Sequence, residues 1–249
     1  MVSFAAEPII RLGFFSFTNS FLDTLIVDGL LIGLVVALNK KLADIPGKLQ
    51  NLMEMAVETF YDLTESVAGH NAGKIFPYFM TFFLFILLAN WTGLFPGFST
   101  VGFYEGEKTK TLVPILRAAT SDFNVTLGLA LVSAVATHIM SISTIGIKQY
   151  LGRYFSLNPV NLYVGILELI SEVTKVVSLS FRLFGNIFAG EMVLATVGSI
   201  FAFLFPLPFM MLEVVVGLVQ ALVFSMLTMA FMAVLSTPHH EEAKEVSTK

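Results

Sequence analysis

Arg182 sits inside an apolar stretch, about 20 residues from either end of it. An isolated arginine at mid-membrane costs about 2.5–3.5 kcal/mol on insertion scales, so it needs a counter-charge or water. At about 100° per residue, Glu168, Ser171, Lys175, Ser178, Asn186 and Ala189 all fall within about 40° of it. They form one seam of polar and small residues about 30 Å long, and such a seam faces protein or water. The carboxylates of the same stretch do not meet Arg182: Glu168 is about 21 Å along the axis, and Glu191 is about 13 Å away on the opposite side. The counter-ion is therefore expected from another helix or another chain. A guanidinium in a protein does not deprotonate, so Arg182 is a fixed positive charge and not a proton carrier. Gly185 and Ala189 remove bulk beside it, which lets a neighbouring backbone approach closely.

The elements that position this seam come from the hydropathy pattern. Ile75 to Tyr104, Phe123 to Ile147, Met192 to Leu212 and Val214 to His240 contain no Asp, Glu, Lys or Arg, and each reaches the length of about 20 that a membrane helix needs. The runs are continuously apolar and do not alternate, which excludes a transmembrane barrel. Of the 249 residues, 56% are apolar and 13% charged, with no Cys; the mean hydropathy is +0.83 and the isoelectric point about 5.6. Disorder, a disulfide scaffold and nucleic-acid binding are excluded. No short basic start and small-residue cleavage site mark a leader, so Met1 is expected to be the native start. The fold class is an all-α integral membrane protein, one membrane domain over 1–249.

Six helices are expected, over about 21–39, 48–66, 75–97, 122–147, 159–198 and 207–236, followed by a tail over 237–249. The first carries Asp23 and Asp28 and ends at Asn39-Lys40-Lys41, its cytoplasmic end by the excess of Lys and Arg there. The second is amphipathic, with Leu49, Leu52, Met53, Ala56, Val57, Phe60 and Leu63 on one face and Glu54, Glu58, Asp62 and Glu65 on another. It is too short and too charged to span, so it is expected along the surface, its acidic face toward protein. Asn90-Trp91 fits an interfacial end, and about 98–120 is an external loop containing Lys108, Lys110 and Arg117. The stretch 159–198 would be about 57 Å long against about 30 Å of hydrocarbon. We therefore expect the last two helices as a strongly inclined hairpin.

If that hairpin turns near Phe201-Ala202, Arg182 faces Gln220 and Glu191 faces Glu213. Two carboxylates meeting in low dielectric disfavour joint ionisation and form a coupled proton relay. Other residues have plainer readings. Asp122 and Asn124 read equally as the cap of the fourth helix. Glu168, Glu172 and Lys175 read equally as an interfacial salt-bridge group. His138 reads as a packed polar residue, and His239 and His240 as part of a solvated tail. No metal site, P-loop or nucleophile constellation is present, so no cofactor and no catalysis by the chain itself are expected.

The run Ser178-Leu-Ser-Phe-Arg182-Leu-Phe-Gly-Asn186-Ile-Phe-Ala-Gly-Glu191 resembles the signature of subunit a of the F-type, rotary ATP synthase. Asn158-Pro-Val-Asn161, Glu168 to Lys175, Ser121-Asp122-Phe-Asn124-Val-Thr and Gln220-Ala-Leu-Val-Phe support the resemblance. It implies a stator packed on a ring of c subunits, with peripheral-stalk b subunits as further partners and no nucleic acid. The missing counter-ion would be the c-ring carboxylate passing Arg182, and Arg182 would separate two proton half-channels. By position, Glu191, Glu213, Asn186 and Gln220 would belong to the external half-channel, with Asp122 and Asn124 as contributors. Glu168, Ser171, Lys175 and Ser178 would belong to the cytoplasmic one. Many members pair a His with a Glu where this chain has Glu191 and Glu213. The location implied is a multi-pass one in a bacterial plasma membrane, with the mitochondrial inner membrane as the less favoured alternative. The residues alone also allow an independent transporter using Arg182 as an anion site, which requires a midplane cavity within this chain.

Overall fold

The computed structural model describes residues 8–12, 15–39, 47–95, 102–105, 111–154, 159–200 and 205–237. The expected hairpin turn at Phe201-Ala202, the Lys40-Lys41 end, Asn158, His239 and His240 lie outside the described residues. Among the described residues, seven α-helices run in chain order: α1 Asn19–Asn39, α2 Lys48–Ala68, α3 Ala72–Thr92, α4 Phe123–Ile145, α5 Ile147–Tyr154, α6 Pro159–Ile200 and α7 Pro206–Leu235. Five helical stretches among the described residues are long and apolar enough to cross a membrane. Two small antiparallel hairpins accompany them, β1 (Pro8–Leu12) with β2 (Phe15–Thr18) and β3 (Gly102–Glu105) with β4 (Thr111–Pro114). The hairpins and α5 were not expected; all three are short elements outside the long helices, one before α1 and two in connections, where hydropathy carries no periodic signal.

The core is built around α3 and α7. Phe82, Phe83 and Ile86 of α3 pack with Ala221 and Phe224 of α7, Ala130 of α4, and Leu179 and Leu183 of α6. A second cluster joins Ile75 and Phe79 of α3 with Met140 of α4 and Met229, Met232 and Ala233 of α7. Hydroxyls lock the register between α4 and α7. Ser133 and Thr228 hydrogen-bond at 2.8 Å, and Ser141 Oγ donates to the Leu235 carbonyl at 2.6 Å.

α3 starts three residues before the expected Ile75 and stops five before the expected Gly97. Gly93, which follows the last residue of α3, lies directly against Ala118 of the α3–α4 connection, where a side chain would collide. α2, expected along the surface, packs on α3. Its Phe60 ring meets Phe79 at 5.7 Å and Phe83 at 4.9 Å, and Tyr61 meets Phe76 at 5.2 Å. Phe83 stands about 16 Å up α3 from Ala72, so α2 doubles back along α3. Phe60 and Leu63 thereby cover the core, while Leu52 and Val57 of the predicted apolar face stay exposed, as do Glu54, Glu58, Asp62 and Glu65.

α6 is an unbroken helix of 42 residues and α7 one of 30, about 63 Å and 45 Å long. An upright α6 would overrun the hydrocarbon twofold, which is the physical ground for inclination.

Candidate functional site

One face of α6 is covered by the rest of the chain and the opposite face is bare. Leu179, Ser180, Leu183 and Ile187 are buried. Ser171, Ser178, Arg182, Gly185, Asn186 and Ala189 are exposed, with Glu168 and Lys175 half-buried. The polar seam read from the sequence is thus an outward stripe along the molecule. Arg182 Nη2 donates to Ser178 Oγ at 3.3 Å, and among the described residues no carboxylate forms an ion pair with it. A Cβ built on Gly185 would meet open space, so the stripe beside Arg182 is flat and free of steric cover. An open groove of about 430 Å³ runs from Arg182 along the same face, lined by Ser171, Lys175 and Ser178 of α6 and by Leu227 and Phe231 of α7. It opens on the outside of the bundle and is not enclosed within it.

At the end of α6 nearest α5, the charges are paired. Glu168 Oε1 and Arg153 Nε form an ion pair at 2.6 Å, and Lys175 Nζ donates to Glu172 Oε1 at 2.7 Å. Lys175 also sits over the Phe231 ring, 4.3 Å from its centroid. His138 Nε2 lies 3.9 Å from Glu172, and its Nδ1 is 2.9 Å from the Tyr150 hydroxyl, so His138 is held as a packed polar residue. α5 presses on α6 because Gly165 leaves room for the Tyr154 backbone. Burial pushes the Tyr154 phenol above its ordinary range, and the Tyr150 hydroxyl and the negative charges of Glu168 and Glu172 add to that.

The opposite end is a network of buried polar groups. Asn186 Nδ2 donates to Gln220 Oε1 at 2.7 Å. Arg182 and Gln220 were expected to face each other; instead Gln220 is buried, while Arg182 points out and Asn186, one turn on, meets the glutamine. Glu213 was expected to face Glu191, and its carboxylate lies against the neighbouring Gly190, in a notch that any side chain would fill. Glu191, turned about 100° from Gly190, reaches the α3–α4 connection, where its Oε2 is 3.5 Å from Arg117 Nη2 and Ser121 is in hydrogen-bond contact. The two glutamates remain near enough to repel each other. Asp122 is the N-cap of α4: its Oδ1 accepts from the Asn124 backbone N–H at 2.9 Å and from Asn124 Nδ2 at 3.2 Å.

Sequence reasoning missed several members of this network. Asp23 is buried and accepts from the Ala119 N–H at 2.8 Å and Thr92 Oγ1 at 3.1 Å. Asn90 donates to the Gly217 carbonyl at 3.0 Å and accepts from Thr120 at 2.8 Å. Arg117, counted only as a loop charge, is buried and donates from Nε to Ser121 Oγ at 2.9 Å. The available signal was the surrounding Leu112-Val-Pro-Ile-Leu116 and Ala118-Ala119, too apolar for a solvated loop.

The ATP synthase A chain family model matches residues 21–233 of this chain, a range that takes in every helix from α2 to α6, the Arg182 stripe and the Glu191–Glu213 network. Members of that family are proton-translocating membrane subunits whose partners carry the catalytic sites. An all-helical bundle with five membrane-capable stretches and an uncovered, arginine-bearing face belongs in that setting. The chain is a member of the ATP synthase A chain family, subunit a of the membrane sector of the rotary ATP synthase.

Proposed function

We propose that this chain is the stator half of a proton-driven rotary contact, with the exposed stripe of α6 facing the ring of c subunits. The observation that carries the reading is Arg182: a permanent cation on a bare face, without a carboxylate partner among the described residues. A charge so placed is costly alone, and a ring carboxylate arriving at that face would neutralise it. Each carboxylate would give up its proton on approach to Arg182, because an adjacent cation favours the ionised form. The same fixed charge would stop protons slipping between two half-channels. One charge moved through 100 mV is worth about 2.3 kcal/mol, and a leak at this point would dissipate it.

Two polar regions lie on either side of Arg182. The groove lined by Ser171, Lys175 and Ser178, with Glu168 beyond it, supports the cytoplasmic half-channel. Asn186, Gln220, Glu213 and Glu191 support the external one, and the Asp122 and Asn124 cap lies at its edge. The translocated ion is a proton, the membrane is a bacterial plasma membrane, and the acidic face of α2 is a surface for the peripheral-stalk b subunits. The chain contains no cysteine, so a single Ala189→Cys variant gives a clean test. Oxidation of the purified complex is expected to link Cys at this position to a cysteine placed on the carboxylate-bearing helix of the c subunit. Failure to form that link, with linking from the lipid-facing side of α1 instead, would refute the assigned face.

A further inference from the structure

We infer that Asp23 of α1 is a positioning residue for proton uptake: it holds the turn Ala119–Ser121, and through it Ser121, as a hydrogen-bond acceptor and without carrying a proton itself. This rests on the external half-channel reading above and adds to it a helix that the reading does not use.

α1 is attached to the bundle by a narrow and mostly polar stripe. Among the described residues its buried members are Asn19, Ser20, Asp23 and Val27. Asn19, Asp23 and Val27 succeed one another at intervals of four, along one face. Leu25, Leu30, Ile32 and Val35 are bare. Within a membrane, lipid tails compete with apolar contacts, so directional hydrogen bonds decide where such a helix sits.

Asp23 makes the bonds that matter here. Its Oδ2 accepts from the Ala119 backbone N–H at 2.8 Å and from Thr92 Oγ1 at 3.1 Å, so one oxygen joins α1 to α3 and to the turn. Val27, Ala89 and Ala119 pack together in the same place. The next two residues of the turn face other partners. Thr120 Oγ1 donates to Asn90 Oδ1 of α3 at 2.8 Å, and Ser121 is in hydrogen-bond contact with Glu191 of α6. Consecutive residues of one short 3-10 helix are thus fastened to α1, α3 and α6. A displacement of Ala119 carries Ser121 with it.

The same geometry separates holding from proton exchange. Both donors use Oδ2, whereas Oδ1 is buried and makes no hydrogen bond among the described residues. No basic side chain among them forms an ion pair with Asp23 either. A proton at Oδ1 therefore has no neighbouring group among the described residues to come from or go to. What the site uses is one oxygen acceptor at a fixed place. Asparagine supplies that oxygen, with its amide nitrogen standing where Oδ1 stands and displacing no bond. Glutamate keeps the charge but moves both oxygens by one methylene.

The test uses the complete ATP synthase, purified and reconstituted, with assembly quantified for each variant. Asp23→Asn is expected to keep proton-driven ATP synthesis within about twofold of the unmodified complex, against the loss of about a hundredfold or more that removing a proton-transfer group causes. Its dependence on external pH should be unshifted. Asp23→Glu is expected to lower synthesis about tenfold or more, because a displacement of about 1 Å far from the chemistry has effects on that scale. Asp23→Glu/Ser121→Ala should be no slower than the slower single variant, since both changes act on one contact. A merely structural role would multiply the two losses instead. Asp23→Asn slower than Asp23→Glu, or a shifted pH dependence in Asp23→Asn, would make Asp23 a proton carrier and overturn the inference. Multiplied losses in the double variant, or Asp23→Glu at the unmodified rate, would overturn it too. Should Asp23→Glu fail to assemble, Asp23→Asn must still assemble and hold its rate and pH dependence, and failure in any of the three sinks the inference. Arg182→Ala run alongside separates the levels: continued synthesis there sinks the stator reading, whereas its loss together with a slow Asp23→Asn sinks only the role of Asp23.

Discussion

Asn186 and Gln220 are joined side chain to side chain at 2.7 Å across the α6–α7 hairpin, one turn beyond Arg182. The contact ties the arginine-bearing stripe to the buried face of α7 through a neutral amide pair. Replacing Gln220 by Leu is expected to lower ATP-driven proton pumping about tenfold. Asn186→Ala/Gln220→Leu should then be no worse than the more damaging single change, because both remove the same interaction. Acidification of vesicles followed by a fluorescent dye checks both statements.

Gly190→Ala is expected to be damaging despite its small size, since its Cβ would occupy the volume of the Glu213 carboxylate. Overpacking of this kind costs about 1–3 kcal/mol. Thermal melting of the purified complex should show a lowered Tm. Pairing Gly190→Ala with the shorter Glu213→Asp should recover part of it.

Ser141→Ala removes the donor to the Leu235 carbonyl, a 2.6 Å bond between the ends of α4 and α7. The expected loss is about 1 kcal/mol. It should appear as faster deuterium exchange at the C-terminal turn of α7, with proton conduction retained.

A pH effect follows from Tyr154, whose burial favours the neutral phenol in the folded protein. A group raised by folding adds stability below its unfolded value, about 10, and that stability is lost as pH climbs through the folded value. The complex should therefore lose stability above about pH 10, and Tyr154→Phe should lose less over the same range. Melting curves against pH, with tyrosinate absorbance as the second readout, measure this.

Much of this architecture was legible in residue types. The cost of an arginine in hydrocarbon marked Arg182, and a 3.6-residue period placed Ser171, Ser178 and Asn186 beside it. The same arithmetic exposed α6 as too long to stand upright. Counting along the hairpin placed Glu191 near Glu213, and the two are close enough to repel; it did not show Arg117, because only the fold of the α3–α4 connection brings Arg117 to Glu191. Asp23 and Asn90 were hidden for a related reason: their partners are the Ala119 N–H and the Gly217 carbonyl, and backbone groups leave no mark in a sequence. α2 leaned on α3 because Phe60 found aromatic partners there, a tertiary choice that amphipathicity alone does not express.

The central claim is that the uncovered Arg182 is the charge that couples proton flow to rotation. The most direct measurement is proton-driven ATP synthesis by the reconstituted complex carrying Arg182→Ala, at matched assembly. Synthesis is expected to vanish, with passive proton leak through the membrane sector rising as the barrier between half-channels disappears. Synthesis at a substantial fraction of the unmodified rate would contradict the account.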